Sequence, residues 1–206
     1  MTVRTVLWDA DGVLQRVPGG WEESMRPALE GRVDDVDRFL VQAVAAERPA
    51  LTGDVRWLDV LPDLLAQWGI ADAYDDMVRI WLSIEEVPGP RAMVRDLRAA
   101  GVRCYLATNQ DVRRARHMRE HLGYDELLDG AFFSYDLRVA KPEPAYFSSI
   151  LERLDLPAEE VLFVDDSAAN VDAARSVGLA AEVWSYREEL GSLRGHLARH
   201  GVPVEG

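Results

Sequence analysis

The chain alternates between short apolar runs and longer segments in which apolar residues recur every three or four positions. The short runs are rich in Val, Leu and Phe, as buried strands are, whereas the spacing of three and four is typical of amphipathic helices. Gly101, Gly123 and Gly178 follow three of the helical segments, where glycine adopts a left-handed conformation at low cost. Strands alternating with helices predict an α/β fold with a mainly parallel sheet. The predicted strands are residues 5–8, 102–107, 131–133, 161–164 and, more weakly, 180–184, and the helices are 92–100, 112–122, 145–154 and 168–177.

One segment breaks this alternation, because residues 21–86 show helical periodicity without a strand pattern. Stretches such as VRWLDVLPDLLAQWGI and AYDDMVRIWLSIEEV illustrate it. We predict that residues 16–85 form an all-helical cap inserted into a core made of residues 1–15 and 86–206. The alternative is that these helices simply cover the sheet. The predicted hinges are Gly19 and Gly20 on one side and the PGP stretch at 88–90 on the other.

Composition excludes several classes of function. The net charge of −13 opposes nucleic-acid binding, which needs a basic surface to neutralise phosphates. Cys104 is the single cysteine, so a disulfide framework is excluded and a reducing cytoplasm is the expected compartment. No stretch approaches the roughly 20 apolar residues of a membrane span, and no long apolar segment of a signal peptide follows Met1. We therefore expect a cytoplasmic protein with neither a nucleic-acid nor a membrane partner.

Polar residues follow three of the predicted strands at the points where they end. In an open α/β sheet, ligands bind at the carboxyl ends of the strands. If these strands are neighbours, four carboxylates converge there, and protonation or a bound cation must relieve their repulsion. Ligands that are all oxygen favour a hard ion such as Mg²⁺. The residues are Asp9 and Asp11 after the first strand, Thr108 and Asn109 after the second, and Asp165 and Asp166 after the fourth.

The same edge has the groups that phosphoryl chemistry needs. Lys141, the only lysine among 23 basic residues, follows another apolar run and adds a positive charge to the hydroxyl and amide of Thr108 and Asn109. These donors, together with Mg²⁺, describe a place for a phosphoryl group. Asp9 is suited to attack phosphorus and form an aspartyl-phosphate. Asp11, just beyond the strand, is suited to protonate the leaving oxygen and then to deprotonate water.

Four stretches, DADGVL, ATN, AKPEPAYF and FVDDSAANVDAA, resemble in order the four motifs of the haloacid dehalogenase superfamily of phosphohydrolases. The resemblance covers residues 1–14 and about 86–186, and it places the helical insert where the superfamily's small cap occurs. It implies a Rossmann-like core flanked by helices. The function it implies is a Mg²⁺-dependent phosphatase that hydrolyses a small phosphorylated metabolite.

The resemblance also implies roles for individual residues. Asp9 and Asp11 match the nucleophile and the general acid/base, and the carbonyl of Asp11 would be a further metal ligand. Two departures from the pattern are Asn170, where many relatives carry another acid, and Arg138, where a glycine is common. The remaining matches are Thr108 and Lys141 to the residues that hold the phosphoryl oxygens, and Asp165 and Asp166 to the acidic pair that holds Mg²⁺, with Asp166 the better candidate for direct ligation.

Other activities within the superfamily are separated by single residues. Dehalogenation is disfavoured because a halide leaving group needs no proton, whereas Asp11 is present. Phosphonate cleavage through a Schiff-base lysine of the cap is excluded, since the segment 16–85 contains no lysine. A sugar-phosphate mutase or phosphotransferase remains an alternative, as does a non-catalytic binding domain. The substrate and the oligomeric state remain open.

Several conspicuous side chains receive weaker interpretations. Trp21 and Arg26, close to the predicted hinge, are candidates for substrate contact. HMREH at 117–121 has the spacing of a zinc motif, but it lies among arginines, so we interpret it as a solvated helix face. The arginines are Arg113, Arg114, Arg116 and Arg119, and the aromatic residues assigned to the cap core are Trp57, Trp68, Tyr74 and Trp81.

Overall fold

The computed structural model describes residues 3–204, and its core is one five-stranded parallel sheet. The strands are β1 (Thr5–Trp8), β2 (Gln15–Arg16), β3 (Glu85–Glu86), β4 (Arg103–Thr108), β5 (Gly130–Phe133), β6 (Val161–Asp165) and β7 (Ala180–Val183). Their order in the sheet is β5-β4-β1-β6-β7, so β1 lies in the middle and pairs with β4 and β6. The predicted α/β fold is confirmed, and every predicted strand is present.

Helices pack on both faces of this sheet. Pro144 lies in the first turn of its helix, where its missing N–H costs nothing, and Gly123 ends another helix with φ 59°. Within residues 3–204, no helix has the length and apolar character needed to span a membrane. The helices are α1 (Trp21–Leu29), α2 (Val36–Leu51), α3 (Trp57–Gln67), α4 (Tyr74–Trp81), α5 (Pro88–Ala99), α6 (Val112–Leu122), α7 (Tyr124–Leu127), α8 (Ser134–Leu137), α9 (Pro144–Leu154), α10 (Ala168–Ser176) and α11 (Leu190–Arg199).

The central strand is apolar throughout because both of its faces are covered. Val6 and Trp8 point into one apolar cluster, whereas Leu7 belongs to the cluster on the opposite face with Phe163 of β6. A parallel strand buried on both sides shows a continuous apolar run rather than an alternating one. The apolar run ends at Asp9, which follows β1 at the carboxyl edge of the sheet.

Helices α1–α4 form a separate hydrophobic cluster. Trp57 and Trp81 are buried in it, and Trp68 and Tyr74 pack against it, as expected for an aromatic core. These four helices follow β1 and precede β4 in the chain, so they are inserted into the sheet's connectivity.

The junction of the inserted helices with the sheet differs from the prediction. Strands β2 and β3 pair antiparallel, and Arg16 forms an ion pair with Glu85 at 2.9 Å. Two-residue polar strands carry no periodicity, so the sequence did not indicate this ribbon. The PGP stretch at 88–90 forms the first turn of α5, which accommodates proline, and its role as a hinge stays a prediction.

Asp111 and Arg138 are among the residues that hold the inserted helices over the carboxyl edge of the sheet. Asp111 accepts a hydrogen bond from the Arg113 backbone N–H at 2.7 Å, and its other oxygen accepts from the Trp57 N–H at 3.1 Å. One carboxylate therefore caps both α6 and α3. Arg138, at φ 62°, donates from Nη1 to the Gly53 carbonyl at 2.6 Å.

On β7, the outer strand of the sheet, Glu182 accepts hydrogen bonds from His196 of α11 and from His200, which directly follows α11, each at 2.7 Å. Burial opposes ionisation, but these hydrogen bonds outweigh it and lower the pKa of Glu182. A carboxyl with a depressed pKa stabilises the fold above its unfolded pKa, and this contribution disappears as the pH falls through the folded value. Glu182→Gln is therefore expected to lower the free energy of unfolding by up to about 1 kcal/mol at about pH 5, and less towards about pH 3.

Urea denaturation of wild type and Glu182→Gln across this pH range measures the effect. The control is Glu152→Gln on the exposed face of α9, which should not change the unfolding free energy at either pH. A difference between wild type and Glu182→Gln that persists unchanged to about pH 3 would contradict the assignment.

Candidate active site

Lys141 lies at the centre of the carboxyl edge of the sheet. Its Nζ donates to Asp9 Oδ1 at 2.7 Å, to Asp165 Oδ2 at 2.6 Å and to the Ala107 carbonyl at 2.9 Å. All three N–H bonds of the buried ammonium are therefore satisfied. Because β1 and β6 are neighbours, the two carboxylates that follow them share this one cation.

Asn109 positions Lys141 through the backbone. Its Nδ2 donates to the Lys141 carbonyl at 2.8 Å, and its Oδ1 accepts from the Lys141 N–H at 2.9 Å. The side-chain amide, predicted to contact phosphate, is thus already committed to the loop that carries Lys141. Thr108, the last residue of β4, is buried beside Asn109, and both line the cavity above this edge of the sheet.

Three carboxylates provide oxygen atoms that lie within 4.8 Å of one another: Asp9, Asp165 and Asp166. Asp165 also accepts from the Ser167 N–H at 2.8 Å and from Asn170 Nδ2 at 3.0 Å, so both of its oxygens are already engaged. Among the hydrogen bonds between described side chains, Asp166 has no partner. Such an all-oxygen cluster fits a hard divalent cation.

Gly12 permits the segment after β1 to approach the Asp166 side chain that follows β6. Its φ is +87°, and a Cβ at this position would lie 2.1 Å from Asp166 Oδ2. Glycine is therefore required at position 12 for two reasons, its backbone conformation and the neighbouring Asp166 carboxylate.

Asp11 is held on a different side of the cavity. Arg114 of α6 binds it with two hydrogen bonds, from Nη1 to Oδ2 at 2.6 Å and from Nη2 to Oδ1 at 3.0 Å. Gln110 Nε2 donates to Oδ2 at 2.7 Å, and Gln15 Nε2 donates to Oδ1 at 3.0 Å. Each carboxylate oxygen of Asp11 thus accepts two hydrogen bonds.

Burial and neighbouring charges shift the pKa values of the site carboxyls in different directions. Burial raises the pKa of Asp9 to about 7, because it outweighs the lowering effect of the Lys141 ammonium. Burial and a neighbouring carboxylate raise the pKa of Asp166 as well. Burial also opposes ionisation of Asp11, but the charge and hydrogen bonds of Arg114 outweigh it, so the pKa of Asp11 is lowered. A bound cation would favour the ionised forms of Asp9 and Asp166.

A cavity of about 430 Å³ connects these groups to the inserted helices. Its floor contains the site residues of the sheet edge, and its roof is mainly apolar with one carboxylate, Glu47. Trp21, a candidate for substrate contact, lines the roof, whereas the other candidate, Arg26, does not line this cavity and pairs through its guanidinium with Asp37 at 2.6 Å. The roof residues are Val17, Gly20, Trp21, Val44, Glu47, Leu51 and Trp81.

Arg114 is the main site residue that the sequence interpretation missed. It was assigned to a solvated face of α6, and for this residue the assignment is wrong, since its side chain is only 10% exposed. Ala115 and Met118 of the same helix are buried with it. The available signal was Met118, an apolar residue four positions after Arg114 on the same face of the helix.

Residues 3–178 match the family of haloacid dehalogenase-like hydrolases. The chain belongs to this family. Among the relatives of this haloacid dehalogenase-like hydrolase is the phosphoglycolate phosphatase of Rhodospirillum rubrum, which is 33% identical over 210 residues, covering 92% of the chain and 84% of the relative. The phosphorylated carbohydrates phosphatase of Thermotoga maritima is 25% identical over 183 residues, covering 86% of the chain and 82% of the relative.

A solved structure has the same fold as this hydrolase. It is a haloacid dehalogenase family enzyme of Bacteroides thetaiotaomicron in complex with magnesium and inorganic phosphate, with a TM-score of 0.78 and 18% identity. The similarity covers 93% of this chain and 98% of the other. The resemblance predicted from the motifs is confirmed, and the family and the curated relatives identify the protein as an enzyme, a haloacid dehalogenase-like phosphatase.

Proposed function

We propose that this enzyme is a Mg²⁺-dependent phosphatase that hydrolyses a small phosphorylated metabolite through an aspartyl-phosphate on Asp9. The observation that carries the proposal is the Lys141 ammonium, which lies 2.7 Å from Asp9 and 2.6 Å from Asp165 at the floor of a roofed cavity. A cation beside a nucleophilic carboxylate reduces its repulsion from an incoming phosphate dianion. The net charge of −13 makes this local positive charge necessary.

Two carboxyls divide the chemistry. Asp9 attacks phosphorus, and the bond from phosphorus to the alcohol oxygen breaks while Asp11, which takes up a proton from solvent before this step, gives that proton to the alcohol oxygen. Asp11 then removes a proton from water, the water oxygen attacks the aspartyl-phosphate, and inorganic phosphate leaves with Asp9 restored. Thr108 orients the phosphoryl oxygens during both displacements, and the Lys141 ammonium attracts them by its charge.

Mg²⁺ is the cofactor that fits this donor set. Asp9 and Asp166 would bind it directly, the Asp11 carbonyl would add a ligand, and Asp165 would support the site from its network with Lys141 and Asn170. When bound, Mg²⁺ neutralises charge on the carboxylates and on the phosphate oxygens. Support comes from the close carboxylate oxygens and from the related fold solved with magnesium and inorganic phosphate.

Residues 16–85 act in this proposal as a cap over a core made of residues 1–15 and 86–206. The separate apolar cluster of α1–α4 and the ribbon of β2 and β3 support this division. By closing over the bound metabolite, the cap would exclude bulk water until the second displacement. Trp21, in the roof, would contact the alcohol portion of the substrate.

Phosphate release from p-nitrophenyl phosphate tests the proposal, with Mg²⁺ and with excess chelator. We expect turnover with Mg²⁺ and a loss of at least about a hundred-fold with chelator, because the metal supplies several kcal/mol of charge stabilisation. Thermal unfolding in the same buffers should show a higher midpoint with Mg²⁺, since a ligand that binds only the native state stabilises it.

Asp166→Asn removes a proposed metal ligand and should therefore abolish the Mg²⁺-dependent rise in the unfolding midpoint. Activity that is unchanged by chelator would contradict the metal assignment. A panel of phosphorylated sugars and phosphorylated carboxylic acids, assayed with Mg²⁺, would then identify the substrate class.

A further inference from the structure

We propose that Arg114 is a positioning residue that orients Asp11 and couples it to the seating of the inserted helix α4. The proposal rests on the phosphatase function argued above. Three groups meet at this one guanidinium: the Asp11 carboxylate, the Gln110 side chain and a backbone carbonyl of α4.

The first step is the fit between Arg114 and Asp11. Two parallel hydrogen bonds at 2.6 and 3.0 Å fix the plane of the carboxylate as well as its position. Arg114 Nη1 also donates to Gln110 Oε1 at 3.0 Å, and Gln110 in turn donates to Asp11 at 2.7 Å. The carboxylate therefore has a single orientation, fixed by Arg114 of α6 and by the amides of Gln110 and Gln15.

The second step is the link to α4. Arg114 Nε donates to the carbonyl of Trp81 at 3.2 Å, and Trp81 is the last residue of α4. Carbonyls in the last turn of a helix have no partner within the helix, so an outside donor is needed when they are buried. The same guanidinium thus contacts the proton-transfer group on one edge and the inserted helices on the other.

This arrangement has a functional consequence. When α4 is seated, Arg114 is hydrogen-bonded to the Asp11 carboxylate, the Gln110 side chain and the Trp81 carbonyl, and Asp11 has a defined position in the cavity. When α4 moves away, Arg114 loses one of these hydrogen bonds, and the orientation of Asp11 becomes less defined. Proton transfer to the leaving group would then depend on closure of the inserted helices over the substrate.

Activity on an aryl phosphate and on an alkyl phosphate distinguishes a positioning role of Arg114 from a merely structural one. The p-nitrophenolate group leaves without protonation, whereas an alkoxide, as from glycerol 2-phosphate, needs a proton from the enzyme. For Arg114→Met we expect kcat/KM to fall about a hundred-fold or more on the alkyl ester and no more than about tenfold on the aryl ester. In the background of Asp11→Asn, the same change should cause little further loss on the alkyl ester.

Arg114→Lys keeps the charge and is the second variant, in case Arg114→Met fails to fold. Lysine cannot bind both carboxylate oxygens and the Trp81 carbonyl together. We therefore expect kcat/KM of this variant to fall more on the alkyl ester than on the aryl ester, with a smaller difference between the two losses than in Arg114→Met. The control is Arg113→Met, which removes an exposed arginine from the same helix and should leave both esters unchanged.

Amide hydrogen exchange tests the link to α4 independently of activity. Ser83 and Ile84, just after α4, should exchange faster in Arg114→Met than in Arg113→Met. Equal losses on both esters, or none, would overturn the positioning of Asp11, and unchanged exchange would overturn the coupling. A wild-type enzyme inactive on both esters with Mg²⁺ would instead reject the phosphatase proposal, and with it the acid step that Arg114 serves.

Discussion

Asp9→Asn is expected to abolish phosphate release, with a loss of at least about a thousand-fold in kcat. The neutral amide is a poor nucleophile, so neither the aspartyl-phosphate nor its hydrolysis would occur. The fold should persist, because burial already raises the pKa of Asp9 and disfavours its charge. Lys141 would still donate to Asp165 and to the Ala107 carbonyl.

The measurement is single-turnover and steady-state phosphate release with Mg²⁺, combined with thermal unfolding of each variant. Asp172→Asn is the matched control, because Asp172 lies on α10 with a largely exposed side chain and, within residues 3–204, pairs with Arg175 alone. Acid-quenched wild type should also carry a phosphoryl group that the variant lacks. Equal activity in wild type and Asp9→Asn would remove Asp9 from the role of nucleophile.

Lys141→Met is expected to have the second-largest effect, and it acts on stability as well as activity. It leaves the buried Asp9 and Asp165 carboxylates without their shared cation. Removing one partner of a buried ion pair costs about 3–5 kcal/mol, because the remaining charge is uncompensated. We expect a decrease of this size in the free energy of unfolding, together with loss of phosphate release.

Urea denaturation with and without Mg²⁺ measures this effect. Mg²⁺ should restore part of the lost stability, since it supplies positive charge to the same carboxylates. The control is Arg153→Met, which breaks an exposed pair with Asp136 at 3.1 Å and should cost less than about 1 kcal/mol. An unfolding free energy in Lys141→Met equal to that of wild type would show that the ammonium does not compensate these carboxylates.

The two variants also separate different parts of the mechanism. Asp9→Asn removes the attacking carboxylate but leaves Lys141 paired with Asp165. Lys141→Met retains the attacking atom but leaves it in a net negative environment. Loss of activity in both, with loss of stability mainly in the second, is the pattern that the proposed site requires.

The sequence by itself determined the sheet and the position of the candidate site. A parallel sheet places the carboxyl ends of its strands at one edge, so the polar residues at the ends of β1, β4 and β6 were expected to meet there if these strands are neighbours, as the strand order shows they are. Local patterns were sufficient for this, because buried strands are continuously apolar and their ends are marked by polar residues. Lys141 was identifiable for a similar reason, as the single lysine after an apolar run in a motif of known order.

Only the tertiary structure decided which side chains contact one another within the site. Arg114 and Asp11 are 103 residues apart, and their contact depends on which face of α6 packs against the loop after β1. Asn109 was expected to face phosphate, yet its amide is bound to the Lys141 backbone, a partner that the α/β pattern does not specify. The pattern of apolar residues determines where elements lie, whereas polar partners depend on the packing of those elements against each other.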